Sequence, residues 1–182
     1  HILLTTGKVV SAEDYKSKGG TPIAVVYYIK QSSSDAGLGY AVYLHDVYDV
    51  QFSDSIGSKQ GTSADAIAYD GNSNTYAMFA SGVSPAARAV YDMWRYGQSA
   101  YIPSIAQLRL LFAAKETINP YIRMCGGDPL PDDADECWYW SSTEVEGQDM
   151  YKAWLYSMNS GAMQETPKEQ AHKIRPIITI NE

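Results

Sequence analysis

The sequence predicts an α+β domain. Strand-like segments stand at both ends of the chain, two amphipathic helical segments lie between them, and turn residues separate the elements. The first strand is expected near Ile2 to Thr5, in the lead-in formed by residues 1–18. The stretch "TPIAVVYYIK" (21–30) is β-branched and aromatic, "QSSSDAGLG" supplies turn residues, and "YAVYLHDVYDV" resumes strand chemistry, so a hairpin is predicted. Residues 52–74 are too rich in Gly, Ser, Asp and Asn for regular structure and read as loop.

Two helices follow. In "SPAARAVYDMWRYG", Ser84 caps, Pro85 takes the first helical position, Val83, Ala87, Val90, Tyr91 and Trp94 share a face, and Gly97 ends the helix. In "PSIAQLRLLFAAKE", Ser104 caps, and Ile105, Leu108, Leu111 and Phe112 form the apolar stripe. Beyond it the pattern becomes that of strands. "CWYWSS" places Trp138, Trp140 and Ser142 opposite Tyr139 and Ser141, and "YKAWLYSM" places Trp154, Tyr156 and Met158 opposite Ala153, Leu155 and Ser157. "NSGA" turns the chain. In "HKIRPIITI", Ile174, Ile178 and Ile180 share a face, and Pro176, which lacks an amide hydrogen, is expected at an edge or bulge.

Composition bounds the function. The 182 residues suffice for one domain, 1–182, with a core that needs no disulfide scaffold. With 45% hydrophobic and 19% charged residues and a mean hydropathy of -0.29, no apolar run approaches a membrane span, so no membrane insertion is expected. The net charge of -7 and the lack of a Lys/Arg cluster argue against nucleic acid. Fifteen tyrosines against three phenylalanines fit either half-buried strand positions or a binding surface. The start "HILLTTGKVV" has neither a basic nor a long apolar leader and no initiator methionine, as expected of a trimmed chain.

Cys125 and Cys137 flank the acidic loop containing Asp128, Asp132, Asp133, Asp135 and Glu136. A disulfide closing this short loop would be worth about 3 kcal/mol, while two free thiols or a redox or metal pair are the alternatives. "DGNSN" spaces Asp70, Asn72 and Asn74 as a calcium loop does, but the later glycine and glutamate are missing, so a turn is expected. The acidic loop reads as a solvated face. No metal and no cofactor are assigned, and no "GxSxG" elbow accompanies the three histidines.

The ordered segments "DGNSNT", "YIPSIAQLRLLF", "YWSSTE", "AW", "NSG" and "IRPI" resemble the Lcl C-terminal domain family. The resemblance runs from about Gly19 to Ile180 and is most specific from Tyr101 to Pro176. It implies a C-type-lectin-like fold in which two helices pack on short, mostly antiparallel strands and the N- and C-terminal strands pair. That family includes the variable ligand-binding proteins of diversity-generating retroelements in bacteria and phages. By resemblance, Trp138, Trp140 and Trp154 anchor the core, and residues 137–180 form the tryptophan-rich strands that display ligand contacts. A variable surface over residues 144–170 would then place Glu146, Gln148, Asp149, Tyr151, Tyr156, Met158, Asn159, Gln164 and Glu165 against a ligand. Glu144, Lys152 and Lys168 would add charge to that platform. The expected function is non-catalytic binding or adhesion to a protein or cell-surface macromolecule, at an extracellular, cell-surface or virion location. The alternatives are an oxidase similar to the formylglycine-generating enzyme and a structural surface or fimbrial subunit.

Overall fold

The computed structural model describes residues 1–29, 38–93 and 100–181. Among these the chain is α+β, as the sequence predicts, with three α-helices and two five-stranded sheets. None of these helices is long and apolar enough to cross a membrane.

The first sheet is built around the predicted hairpin of β3 (Pro22–Ile29) and β4 (Leu38–Tyr43). Each edge of this hairpin receives one end of the chain. Strand β1 (Ile2–Leu4), flanked by β2 (Val9–Val10), pairs with β3 through Ile2↔Val25 and Leu3↔Ala24. Strand β10 (Ile177–Asn181) pairs with β4 from Ile177↔Val42 to Asn181↔Leu38. The expected pairing of the terminal strands is therefore corrected. Both lie in one sheet, but β3 and β4 separate them, each pairing with one terminal strand.

The second sheet has the order β5 (Val47–Gln51), β9 (Ala171–Ile174), β6 (Trp138–Glu144), β7 (Lys152–Ser157) and β8 (Met163–Pro167). It is antiparallel except where Tyr139 meets Lys173 on β9. The run "YAVYLHDVYDV" does not continue as one strand. It breaks after Tyr43 and resumes as β5 in this second sheet. Pro176 makes the corresponding crossing between β9 and β10. It is buried between the sheets instead of lying at an edge, and its carbonyl accepts from Tyr43 N at 3.0 Å. A residue without an amide hydrogen loses nothing where the chain leaves one ladder for another.

Three helices cover the sheets, one more than the sequence predicts. Helix α1 (Gly71–Ala80) begins inside the segment read as loop, so "DGNSN" is its first turn. Its sequence has weak helix propensity, but tertiary contacts hold it. Thr75 Oγ1 donates to Gly71 O at 2.7 Å and accepts from Ile102 N at 2.9 Å, and Met78 is fully buried. Gly71 is required there, because a Cβ would lie 2.4 Å from Gln107 Oε1 and 2.6 Å from Ile102 O. Helix α2 (Pro85–Tyr91) starts as predicted, with Ser84 Oγ accepting from Ala87 N at 3.1 Å. The helix ends earlier than expected, with Asp92 as its C-cap instead of running on to Gly97; Trp94 and Gly97 themselves lie outside the described residues. Helix α3 (Ile105–Met124) has a full capping box: Ser104 Oγ accepts from Gln107 N, and Gln107 Oε1 accepts from Ser104 N at 2.9 Å. Ile105, Leu108 and Leu111 are fully buried, as predicted for its stripe.

Strands β6 and β7 lie between two apolar layers. Trp140, Ala153 and Leu155 pack with Phe52, Met78, Val90 and Ile178 on one side, whereas Tyr139, Tyr156 and Met158 pack with Leu108, Leu111 and Ile118 on the other. Trp140 is fully buried; its ring meets Phe52 edge-on at 5.5 Å and its Nε1 donates to Val50 O at 2.9 Å. Ile174, Ile178 and Ile180 share the Trp140 side, as the alternation predicts.

Candidate functional site

The predicted variable surface divides into exposed and buried residues. The β6–β7 connection is a tight loop in which Gly147 takes φ +76°, Gln148 N donates to Val145 O, and Tyr151 N donates to Gln148 O. This geometry presents Glu146, Gln148 and Tyr151 to solvent, with Tyr151 54% exposed. Asp149 is half-buried and pairs with Lys59 at 3.3 Å. Gln148 Nε2 donates to Glu165, which also meets Lys152 at 3.6 Å, so these residues form one polar patch. Asn159 is exposed in the β7–β8 turn and donates to Asp132 O. Gln164 is also exposed, but strand alternation puts it and Glu165 on opposite faces of β8.

Tyr156 and Met158 are not on this surface. They are 3% and 0% exposed, and Tyr156 meets Phe112 edge-on at 6.2 Å. The expectation fails because α3 covers that face of β7. Glu144 and Lys168 are likewise buried, at 1% and 2%, and pair with each other. Glu144 also accepts from Thr62 N at 2.9 Å, Thr62 Oγ1 at 2.6 Å and Gln60 N at 3.3 Å. Lys168 Nζ donates to Ser58 O at 2.9 Å, Gln60 Oε1 and Asp149 O. Burial pushes the Lys168 pKa down, against the opposing pull of the Glu144 carboxylate. The pair fastens the 58–62 loop to the sheet and does not act as surface charge.

The expected disulfide is absent: both cysteines are free. Cys125 caps α3 and packs against the cluster of Ile2, Leu4 and Tyr15, and burial pushes its thiol pKa up. Cys137 is buried just before β6, with its sulfur 3.2 Å from Ser157 Oγ and 3.3 Å from Ala134 O. Asp70 and Asn74 are also engaged within the fold. Asn74 Nδ2 donates to Asp70 Oδ1 at 3.0 Å, and Asn74 Oδ1 accepts from Ser63 N at 2.9 Å. Among the described residues, no three His, Cys, Asp or Glu side chains converge as a metal site.

Gln164 borders an open cleft of about 450 Å³ across the second sheet. Half-buried Trp138 and buried Leu155 line it, together with Tyr48, Asp49, His172 and Lys173 from β5 and β9 and Asp135 and Glu136 from the acidic loop. A register shift between Val47 and Val50 inserts an extra residue in β5, and Asp49 there takes φ 52°. A bulge of this kind bends a strand and re-aims its side chains; Tyr48 is left 61% exposed. The cleft is electronegative. Lys173, the one lysine among its described lining residues, stands 4.8 Å over the Tyr139 ring and 3.9 Å from Asp46, leaving Asp49, Asp135 and Glu136 in excess. Burial lowers the His172 pKa, with Asp49 opposing, so the imidazole is neutral at pH 7. Just after β9, Arg175 donates to Asp46 at 2.6 Å and to the Asp128 carbonyl at 2.8 Å.

The sequence points to Gln164 and places Trp138 mainly in the scaffold, but does not single out Tyr48, Asp49 and His172. The only local signal for the first two was an acidic and aromatic cluster inside a strand-like run. No family model, curated protein or solved structure matches the chain.

Proposed function

We propose that the protein is a non-catalytic binding module whose target is a basic segment of a protein or cell-surface macromolecule. The observation that carries this reading is the cleft beside Gln164, where the half-buried Trp138 indole and the exposed Tyr48 ring stand among three carboxylates. An aromatic face and carboxylates attract the same ligand, a Lys or Arg side chain, through cation–π and ion-pair contacts. The neighbouring patch of Glu146, Gln148, Tyr151 and Glu165 extends the contact area with groups that adapt to a protein surface. A C-type-lectin-like fold, a role as a retroelement variable protein and an extracellular, cell-surface or virion location belong to the same proposal. They rest on the motif resemblance and on helices packed against mostly antiparallel sheets. The oxidase alternative draws no support from the thiols, since one is buried and the pKa of the other is raised, the reverse of an activated nucleophile.

Calorimetric titration with an arginine-rich hexapeptide tests the reading. Binding is expected to weaken about tenfold in the Asp135→Asn, Glu136→Gln double variant, equivalent to about 1.4 kcal/mol. It should also weaken as salt rises. Equal affinity for wild type and double variant, or for a hexapeptide of glutamates, would refute it.

A further inference from the structure

The first sheet carries a different aromatic arrangement. Between Val26 and Tyr28 the β3–β4 register slips, making Tyr27 an extra residue opposite β4. As a result, consecutive tyrosines, which alternation would send to opposite faces, both stack on Tyr40. The ring centroids are 6.1 Å apart for Tyr27 and 5.7 Å for Tyr28, with interplanar angles of 29° and 18°.

Beside this stack lies a second cleft, of about 220 Å³, lined by Tyr28, Tyr40, Tyr69, Asn72, Tyr101 and Thr179. Its floor is fixed internally. Tyr101 Oη lies 2.6 Å from Thr179 Oγ1, Gln107 Nε2 donates to Tyr101 Oη at 3.3 Å, and Tyr27 Oη donates to Gln107 O at 3.3 Å. The rim is not. Among the described residues no hydrogen bond engages the hydroxyls of Tyr28, Tyr40 and Tyr69 or the side-chain amide of Asn72, and Tyr69 is 56% exposed. Among the described residues no charged side chain lines this cleft, in a chain whose net charge is -7.

We propose that the tyrosine cleft binds a proline-rich segment of a partner protein in the polyproline II conformation. Such a segment offers prolyl rings and backbone carbonyls, and its prolines have no N–H to donate. It therefore needs aromatic walls and hydrogen-bond donors, and it needs no counter-charge. The cleft supplies tyrosine rings, phenolic O–H groups and the Asn72 amide. A polyproline helix is also extended before it binds, so a shallow site loses little to ordering it. A charged peptide would find no counter-charge among the described residues here, and a saccharide's hydroxyl donors would meet only phenolic oxygens and the Asn72 amide oxygen, with no carboxylate among the described lining residues. The site shares no residue with the Trp138 cleft and stands without it.

The test is titration of the full chain with an acetylated, amidated decaproline peptide, followed by amide NMR shifts and calorimetry. Saturable binding with shifts centred on Tyr28, Tyr69, Asn72 and Thr179 is expected. Tyr69→Ala and Asn72→Ala alter exposed side chains and should each weaken binding about tenfold, with circular dichroism unchanged. Glu13→Gln, at an exposed position in the N-terminal segment, should leave it intact. The proposal is overturned if decaproline does not bind, if a Gly-Ser decapeptide binds equally well, or if neither cleft variant changes the affinity. Saturation of the same amides by maltotetraose but not by decaproline would overturn it in favour of a saccharide.

Discussion

Removing the Glu144 carboxylate should nearly unfold the protein. In Glu144→Ala, the Lys168 ammonium stays 2% exposed with only neutral acceptors, at Ser58, Gln60 and Asp149. Thr62 N, Thr62 Oγ1 and Gln60 N lose their acceptor at the same time. Breaking one side of a buried pair costs about 3 to 5 kcal/mol, and each buried donor left unpaired adds about 1 to 3 kcal/mol unless water reaches it. Against a total stability of about 5 to 15 kcal/mol, a loss of about 4 kcal/mol or more is a large fraction. Urea unfolding at pH 7, followed by far-ultraviolet circular dichroism, measures it. The double variant Glu144→Leu, Lys168→Met removes both charges and should recover about half of the loss, since replacing a whole buried pair with apolar groups is often close to neutral. A loss below about 1 kcal/mol in Glu144→Ala, the range of exposed pairs, would refute the reasoning.

Trp140→Ala, which empties a fully buried site, should cost about 3 to 5 kcal/mol, whereas exposed Gln148→Ala should change stability by at most about 0.5 kcal/mol; equal losses in urea melts would contradict this division. Stability should fall as pH rises above 10.0, because burial raises the phenol pKa values of Tyr27, Tyr101 and Tyr139 from that ordinary value. These groups stay protonated in the fold while the unfolded chain ionises, so their contribution is complete below pH 10 and is lost above it; a flat melting temperature between pH 9 and 11 would count against it. His172 has the opposite sign. Its lowered pKa makes stability fall as pH drops below 6.5, and His172→Gln should reduce that slope in pH-dependent melts. Thiol titration should find two thiols in the denatured, unreduced chain, with native Cys125 reacting slowly and a melting temperature indifferent to reductant; no free thiol in the denatured chain would show the pair to be bridged.

The fold class, the β3–β4 hairpin, the two capped helices and the shared face of Ile174, Ile178 and Ile180 were legible in the sequence. Each depends on neighbours within about four residues or on strict alternation, and cap chemistry and side-chain period need no distant partner. What covers a strand depends on the rest of the chain. Tyr156 and Met158 look like one open face of β7 until α3 packs over them, and Glu144 and Lys168 look like surface charges until the 58–62 loop closes around them. Helix α1 was illegible for a related reason. Its turn-forming composition is overridden by Thr75, Gly71 and Ile102, residues up to 31 positions apart that satisfy one another only once the sheets have brought them together. The edge that each terminus occupies was likewise a tertiary outcome, since both sides of the hairpin offer unpaired backbone groups and local sequence does not distinguish them. The two clefts arise from register slips in β5 and β3. A one-residue shift in pairing leaves no mark on composition, yet it decides which side chains face solvent.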